Sequence, residues 1–80
     1  MNAHDYIVQV LGRLSKKGPM TWHHAIRIGW APGEHNTGKA GARRRILLRA
    51  IDKEWIAVFG DKLMITPHGT RELRDALRAI

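Results

Sequence analysis

The apolar residues of this chain change their period once, at Glu54, and that change limits the folds open to it. Up to Glu54 they recur at helical spacing. Beyond it, Ile56-Ala57-Val58-Phe59 and Leu63-Met64-Ile65 are short continuous runs, separated by Gly60-Asp61-Lys62. Short apolar runs around a Gly-containing turn signal a β-hairpin, here over residues 56–65. Thr66-Pro67 then offers a helix cap followed by the one residue type pre-set for a first helical position, so a last helix is predicted over 67–80. Leu73, Ala76, Leu77 and Ile80 form its expected inner face. Two strands alone are marginal in water, so the hairpin must pack on helices.

Three helices are available before it. Asn2 can cap the first, over 3–17, in which Ile7, Val10, Leu11 and Leu14 make one apolar face and Gly18-Pro19 mark the stop. Thr21 can cap a short second helix over 22–28, with Ala25 and Ile28 inward. Residues 29–38 are rich in turn formers and read as a loop. A third helix is expected over 39–54, with Asn36 or Thr37 near its start. At about 100° per residue, Ile46, Leu47, Ala50 and Ile51 share one side of it. Gly41, Arg45, Arg49 and Asp52 share the other, and Arg44 and Leu48 lie at the margin. Arg43 falls on the apolar side, which requires it to reach outward from the first turn or the helix to begin later. The sequence thus predicts a mostly helical α+β domain: three helices, a two-stranded hairpin and a C-terminal helix.

Eighty residues with no cysteine make one small domain, with neither disulfides nor thiolate-held zinc to supplement its core. The net charge of +7 is unevenly spread. From Arg13 to Arg49 there are nine basic residues and one acid, Glu34; the rest of the chain has five basic and six acidic residues. Such clustering attracts polyanions and steers their approach, whereas a merely solubilising surface mixes both signs. No apolar run approaches the roughly 20 residues of a membrane span, and the first residues lack the basic start and apolar stretch of a signal peptide. A cytoplasmic protein, nucleoid-associated when bound to DNA, is expected.

Other chemistries are weakly supported. Gly33, Gly38 and Lys39 are in register with a phosphate-binding loop, but Ala40 stands where that loop needs a hydroxyl, and a helix rather than a strand precedes it. The five histidines include no i, i+4 helical pair, so no metal is expected. No nucleophile has a visible base, so neither catalysis, a small-molecule substrate nor a cofactor is expected. Trp22, Trp30 and Trp55 flank helix ends, where packing at the edge of the core is their expected role.

The order of elements, together with the stretch Ala50 to Leu73, resembles the winged helix-turn-helix family. Trp55-Ile56 is similar to the family's "L-I" after the third helix. Ile65-Thr66-Pro67-His68-Gly69 with Leu73 is similar to its "L-T-x-x-G-x-x-x-L" entry to the fourth. Glu54 replaces the glycine expected before Trp55-Ile56, and about eight residues stand where the family has a tight turn between helices two and three. The resemblance implies a third helix in the DNA major groove and a wing on the backbone or minor groove. On that reading Arg45, Arg49, Gly41 and the marginal Arg44 form the base-reading set, with Arg44 also in reach of phosphate. Thr21, His23, His24, Lys39, Arg43 and Lys62, the last at the wing tip, would hold phosphates. The implied function is sequence-specific binding of double-stranded DNA by a small prokaryotic or phage-type transcription regulator. The alternative is a protein-binding winged helix whose basic face meets an acidic or nucleic-acid-binding partner, as in a phage-encoded inhibitor. One small reading head covers few base pairs, and a homodimer on symmetric half-sites is the usual remedy. The first and last helices would offer its surface, although Tyr6, Val8 and Leu48 are the only apolar residues left over to build it.

Overall fold

The computed structural model describes residues 2–79. The chain runs α1 (Ala3–Lys17), β1 (Met20–Thr21), α2 (Trp22–Ile26), α3 (Thr37–Asp52), β2 (Ile56–Phe59), β3 (Lys62–Ile65) and α4 (Pro67–Arg78). None of the described helices is long and apolar enough to cross a membrane.

The expected small α+β domain is present, with one addition. The sheet has three antiparallel strands in the order β1-β3-β2, not two. Met20 pairs with Leu63 and Thr21 with Lys62, so the residues entering α2 are stitched to the hairpin. Ile56 pairs with Ile65 and Phe59 with Lys62 on the other side. Between β2 and β3, Gly60 takes φ +65° and Asp61 does not, the signature of a primed two-residue turn with glycine first.

The helix caps are largely those the sequence offers. Asn2, Thr21 and Thr66 accept from the backbone N–H of Asp5, His24 and Gly69 at 2.8, 3.2 and 2.9 Å. Boundaries move where a local interaction outweighs the periodic pattern. The second helix stops at Ile26, not residue 28, and turns through Arg27 to Gly29. Asn36 caps the third helix by accepting from Lys39 N–H at 2.9 Å, so it starts at Thr37, two residues before the expected 39. Its other end is Asp52, not residue 54, because Glu54 adopts φ +64°. The connecting loop is therefore 27–36 rather than 29–38. The last helix ends at Arg78, and the predicted inward Ile80 lies outside the described residues.

The core gathers Tyr6, Ile7, Val10, Leu11 and Leu14 of α1 with Ala25, Ile28, Leu47, Ala50, Ile56 and Leu63. Two expectations fail here. Tyr6 is not a spare apolar residue but 2% exposed, and Leu77 is 55% exposed rather than inward. Leu73 packs on the core, and the protected face of α4 runs through Gly69, Leu73 and Ala76, which turns Leu77 outward.

The most consequential correction concerns Arg43. It does not reach outward, and it is 7% exposed. Because α3 begins earlier, Arg43 lies in its second turn and faces α2. Its guanidinium donates from one nitrogen to the carbonyls of Ile26 and Ile28, both at 2.7 Å, and lies 4.4 Å from the Tyr6 ring centre. The Tyr6 hydroxyl in turn donates to Ala25 O at 2.7 Å. A helix of five residues cannot pair its own final carbonyls, and Tyr6 and Arg43 supply the missing donors.

Gly69 is fixed by space. A Cβ there would lie 2.1 Å from the Trp55 carbonyl oxygen, which itself accepts from Thr66 N–H at 3.1 Å. The wing's exit and the entry to α4 are thereby locked against the turn after α3.

Three stability measurements follow from this packing. Arg43→Ala strands two inward carbonyls and should lower the unfolding free energy by about 3 kcal/mol in urea titration. Burial pushes the Tyr6 hydroxyl up to about 12 from its ordinary 10, with Arg43 opposing the shift. Its stabilising contribution is therefore complete below pH 10 and lost as pH rises through about 12. Tyr6→Phe should cost about 1–2 kcal/mol at neutral pH and remove that alkaline loss. Glu54→Gly should add about 0.5–1 kcal/mol, because glycine relieves the left-handed backbone; unchanged or lowered stability would contradict this.

Candidate nucleic-acid interface

The outward side of α3 is built by the same turns that bury its inward side. Leu47 and Ala50 are buried against α1, Arg43 is held by α2, and the opposite stripe carries Gly41, Arg45, Leu48 and Asp52. Arg45 and Arg49 are exposed, one turn apart, as the sequence predicts. The Arg45 guanidinium lies back along the helix toward its N-terminus, so that a Cβ on Gly41 would sit 3.9 Å from it. Arg44 is exposed on one flank of this stripe, its guanidinium 5.2 Å from the Trp22 ring centre. Arg49 stands on the other flank, beside a hollow shared with His4, Lys53 and Trp55. Among the described residues, none of these three arginines has a carboxylate partner.

The sheet brings further predicted residues to Arg44's side. Trp22, under Arg44, follows Thr21, whose strand partner is Lys62, whose other partner is Phe59. The wing is thus tied edge to edge to the start of α2, and the start of α2 to α3. Lys62 is exposed, but it opens β3, and the tip proper is Gly60-Asp61. His23 and His24 are exposed in the first turn of α2, their ring centres 6.4 Å apart and their planes tilted by 56°.

Two of the predicted phosphate ligands are engaged elsewhere. Arg43 is buried as described, which removes it from the interface. Lys39 is exposed at the start of α3 but pairs with Glu34 at 3.6 Å and lies 5.5 Å from the Trp30 ring centre, with Arg27 also 5.5 Å from that ring. Glu34 also accepts from Ala31 N–H at 3.1 Å and donates its own N–H to Ala31 O at 3.0 Å. The long connection is therefore an ordered packing unit built on Trp30 and Glu34.

Sequence reasoning passed over Phe59. It is 78% exposed and shares its face of the hairpin with Met64, 39% exposed, so that face of the wing displays apolar side chains. Alternation along the two short strands gave the signal. Phe59 and Ala57 point to the face opposite Ile56, and among the described residues Phe59 is left 78% exposed there.

No family model matches the chain, and neither do curated proteins or solved structures.

The Lys39–Glu34 pair is half-exposed, so it contributes little to stability, at most about 1 kcal/mol. Glu34→Gln should leave thermal stability nearly unchanged while freeing the Lys39 ammonium. An unfolding midpoint lowered by more than a few degrees would show instead that Glu34 organises the loop through more than its charge.

Proposed function

We propose that this chain is a winged helix-turn-helix protein that binds double-stranded DNA sequence-specifically, as a small transcription regulator. In this reading α3 enters the major groove and the wing meets the backbone beside it. The observation that carries the reading is the stripe of exposed Arg44, Arg45 and Arg49, none with a carboxylate partner among the described residues, beside Gly41 on a helix whose other side is anchored in the core. An arginine fork matches O6 and N7 of guanine, and each such pair discriminates by roughly 1–3 kcal/mol. Gly41 leaves room for the groove wall to approach. Leu48, 50% exposed between Arg44 and Arg45 on the helix surface, suits a thymine methyl. Asp52 repels phosphate and confines the contact to the turns of α3 that precede it. Thr21, His23, His24 and Lys62 then serve phosphates, with Lys39 once it leaves Glu34. Arg43 acts only by fixing how α3 sits on α2.

The apolar wing favours one other reading. Exposed Phe59 and Met64, on one face of the hairpin, suit a protein surface better than a phosphate backbone, and the arginine stripe would then meet acidic side chains of that partner.

Salt separates the two. The DNA reading predicts duplex affinity whose logarithm falls linearly with the logarithm of salt concentration, with a slope of several units. Arg45→Ala and Arg49→Ala should each relax preference at one base pair, while Lys62→Ala weakens all sequences alike and lowers the slope by about one unit. Absence of duplex binding at low salt would rule the reading out. Binding with site preference untouched by Arg45→Ala would rule out this placement of α3.

A further inference from the structure

The basic segment that marks this sequence is not spent on α3 alone. Of its nine cationic residues, Arg13, Lys16, Lys17 and Arg27 lie away from that helix, and the structure gathers them. Arg13, Lys17, His24 and Arg27 line a hollow of about 420 Å³ around the backbone of Gly18 and Gly29, between the end of α1 and the turn after α2. A second hollow of about 660 Å³ continues from it along α1, shares Arg13, Lys17 and Gly29, and adds Lys16. Among the described residues no carboxylate lines either, and no residue of α3 or of the wing strands borders either.

The wall is also held in place. Ile28 O is drawn inward to Arg43 at 2.7 Å, and the Arg27 guanidinium rests 5.5 Å from the Trp30 ring centre. Concave, like-charged side chains without counter-charges focus a positive potential, and guanidinium groups match phosphate oxygens in forked pairs. Arg13, Lys17 and Arg27 around the first hollow, with Lys16 beside them in the second, repel one another, and a multiply charged anion relieves that repulsion.

We propose that this groove is a second binding site, for consecutive phosphate groups. Its ligand is either a stretch of nucleic-acid backbone or a free polyphosphate chain. The site does not rest on the role given to α3. With nucleic acid in the groove and α3 on another segment, one domain would hold two stretches of backbone.

The test is amide NMR of the full chain, titrated separately with tripolyphosphate and with a short DNA duplex. Saturable shifts at Gly18 and Gly29 are expected with at least one of the two. The Arg13→Ala/Lys17→Ala double variant alters exposed side chains of α1 and should keep the remaining spectrum. It should weaken that binding about tenfold or more, as loss of two charge-assisted contacts requires. Shifts with tripolyphosphate alone assign a free polyphosphate, and shifts with the duplex identify the backbone. No saturable shift at Gly18 and Gly29 with either probe, or equal affinity in the double variant, overturns the proposal. The Gly41 amide reports on α3 in the same duplex titration. Its silence beside responding Gly18 and Gly29 would sink the reading of α3 and leave the groove standing.

Discussion

A guanidinium with no carboxylate beside it among the described residues, buried between three helices, sets the geometry of this domain. Burying a charge is costly unless its hydrogen bonds are supplied inside, and Arg43 finds them in the carbonyls of Ile26 and Ile28. Those carbonyls belong to a helix and turn too short to satisfy themselves. Each side thus solves the other's problem. Tyr6 completes the arrangement, donating to Ala25 O from α1 while its ring faces Arg43. Because one side chain of α3 touches both α2 and α1, the rotation of α3 about its axis is fixed. That rotation decides which arginines face water.

The consequence is a division of labour within one basic segment. Arg43 is structural. Lys39 and Arg27 pack on Trp30 and, with Glu34, order the long connection. Arg44, Arg45 and Arg49 are left outward and, among the described residues, without a carboxylate partner, and Arg13, Lys16 and Lys17 line a separate groove. Sequence position alone cannot separate these roles, since Arg43, Arg44 and Arg45 are consecutive. On a helix, consecutive residues are about 100° apart, so a run of three spans both the buried and the exposed side.

Much of the fold was legible because several local signals agreed. The α1 stripe of Ile7, Val10, Leu11 and Leu14, the caps Asn2, Thr21 and Thr66, and the hairpin each rest on short-range chemistry, and each is present. The rest depends on contacts distant in the chain. β1 is two residues long, too short for any period, and exists because β3 lies beside it. Tyr6 looked spare until Ala25 O was placed against it. Leu77 fits the inward stripe of an ideal helix, but α4 turns Gly69, Leu73 and Ala76 inward and leaves Leu77 to water. The end of α3 could not be read because Glu54 holds a backbone conformation that favours glycine. The outward placement of Arg45 and Arg49 followed from the buried pattern around Leu47 and Ala50. The exposure of Phe59 needed the sheet.

The account turns on what the arginine stripe of α3 meets, and selection from a random pool of DNA duplexes addresses this directly. Repeated capture by the chain and sequencing of the retained duplexes should converge on a short motif containing guanines at the spacing of Arg45 and Arg49 along a major groove. A pool that stays random after several rounds, or no retention at low salt, would contradict it.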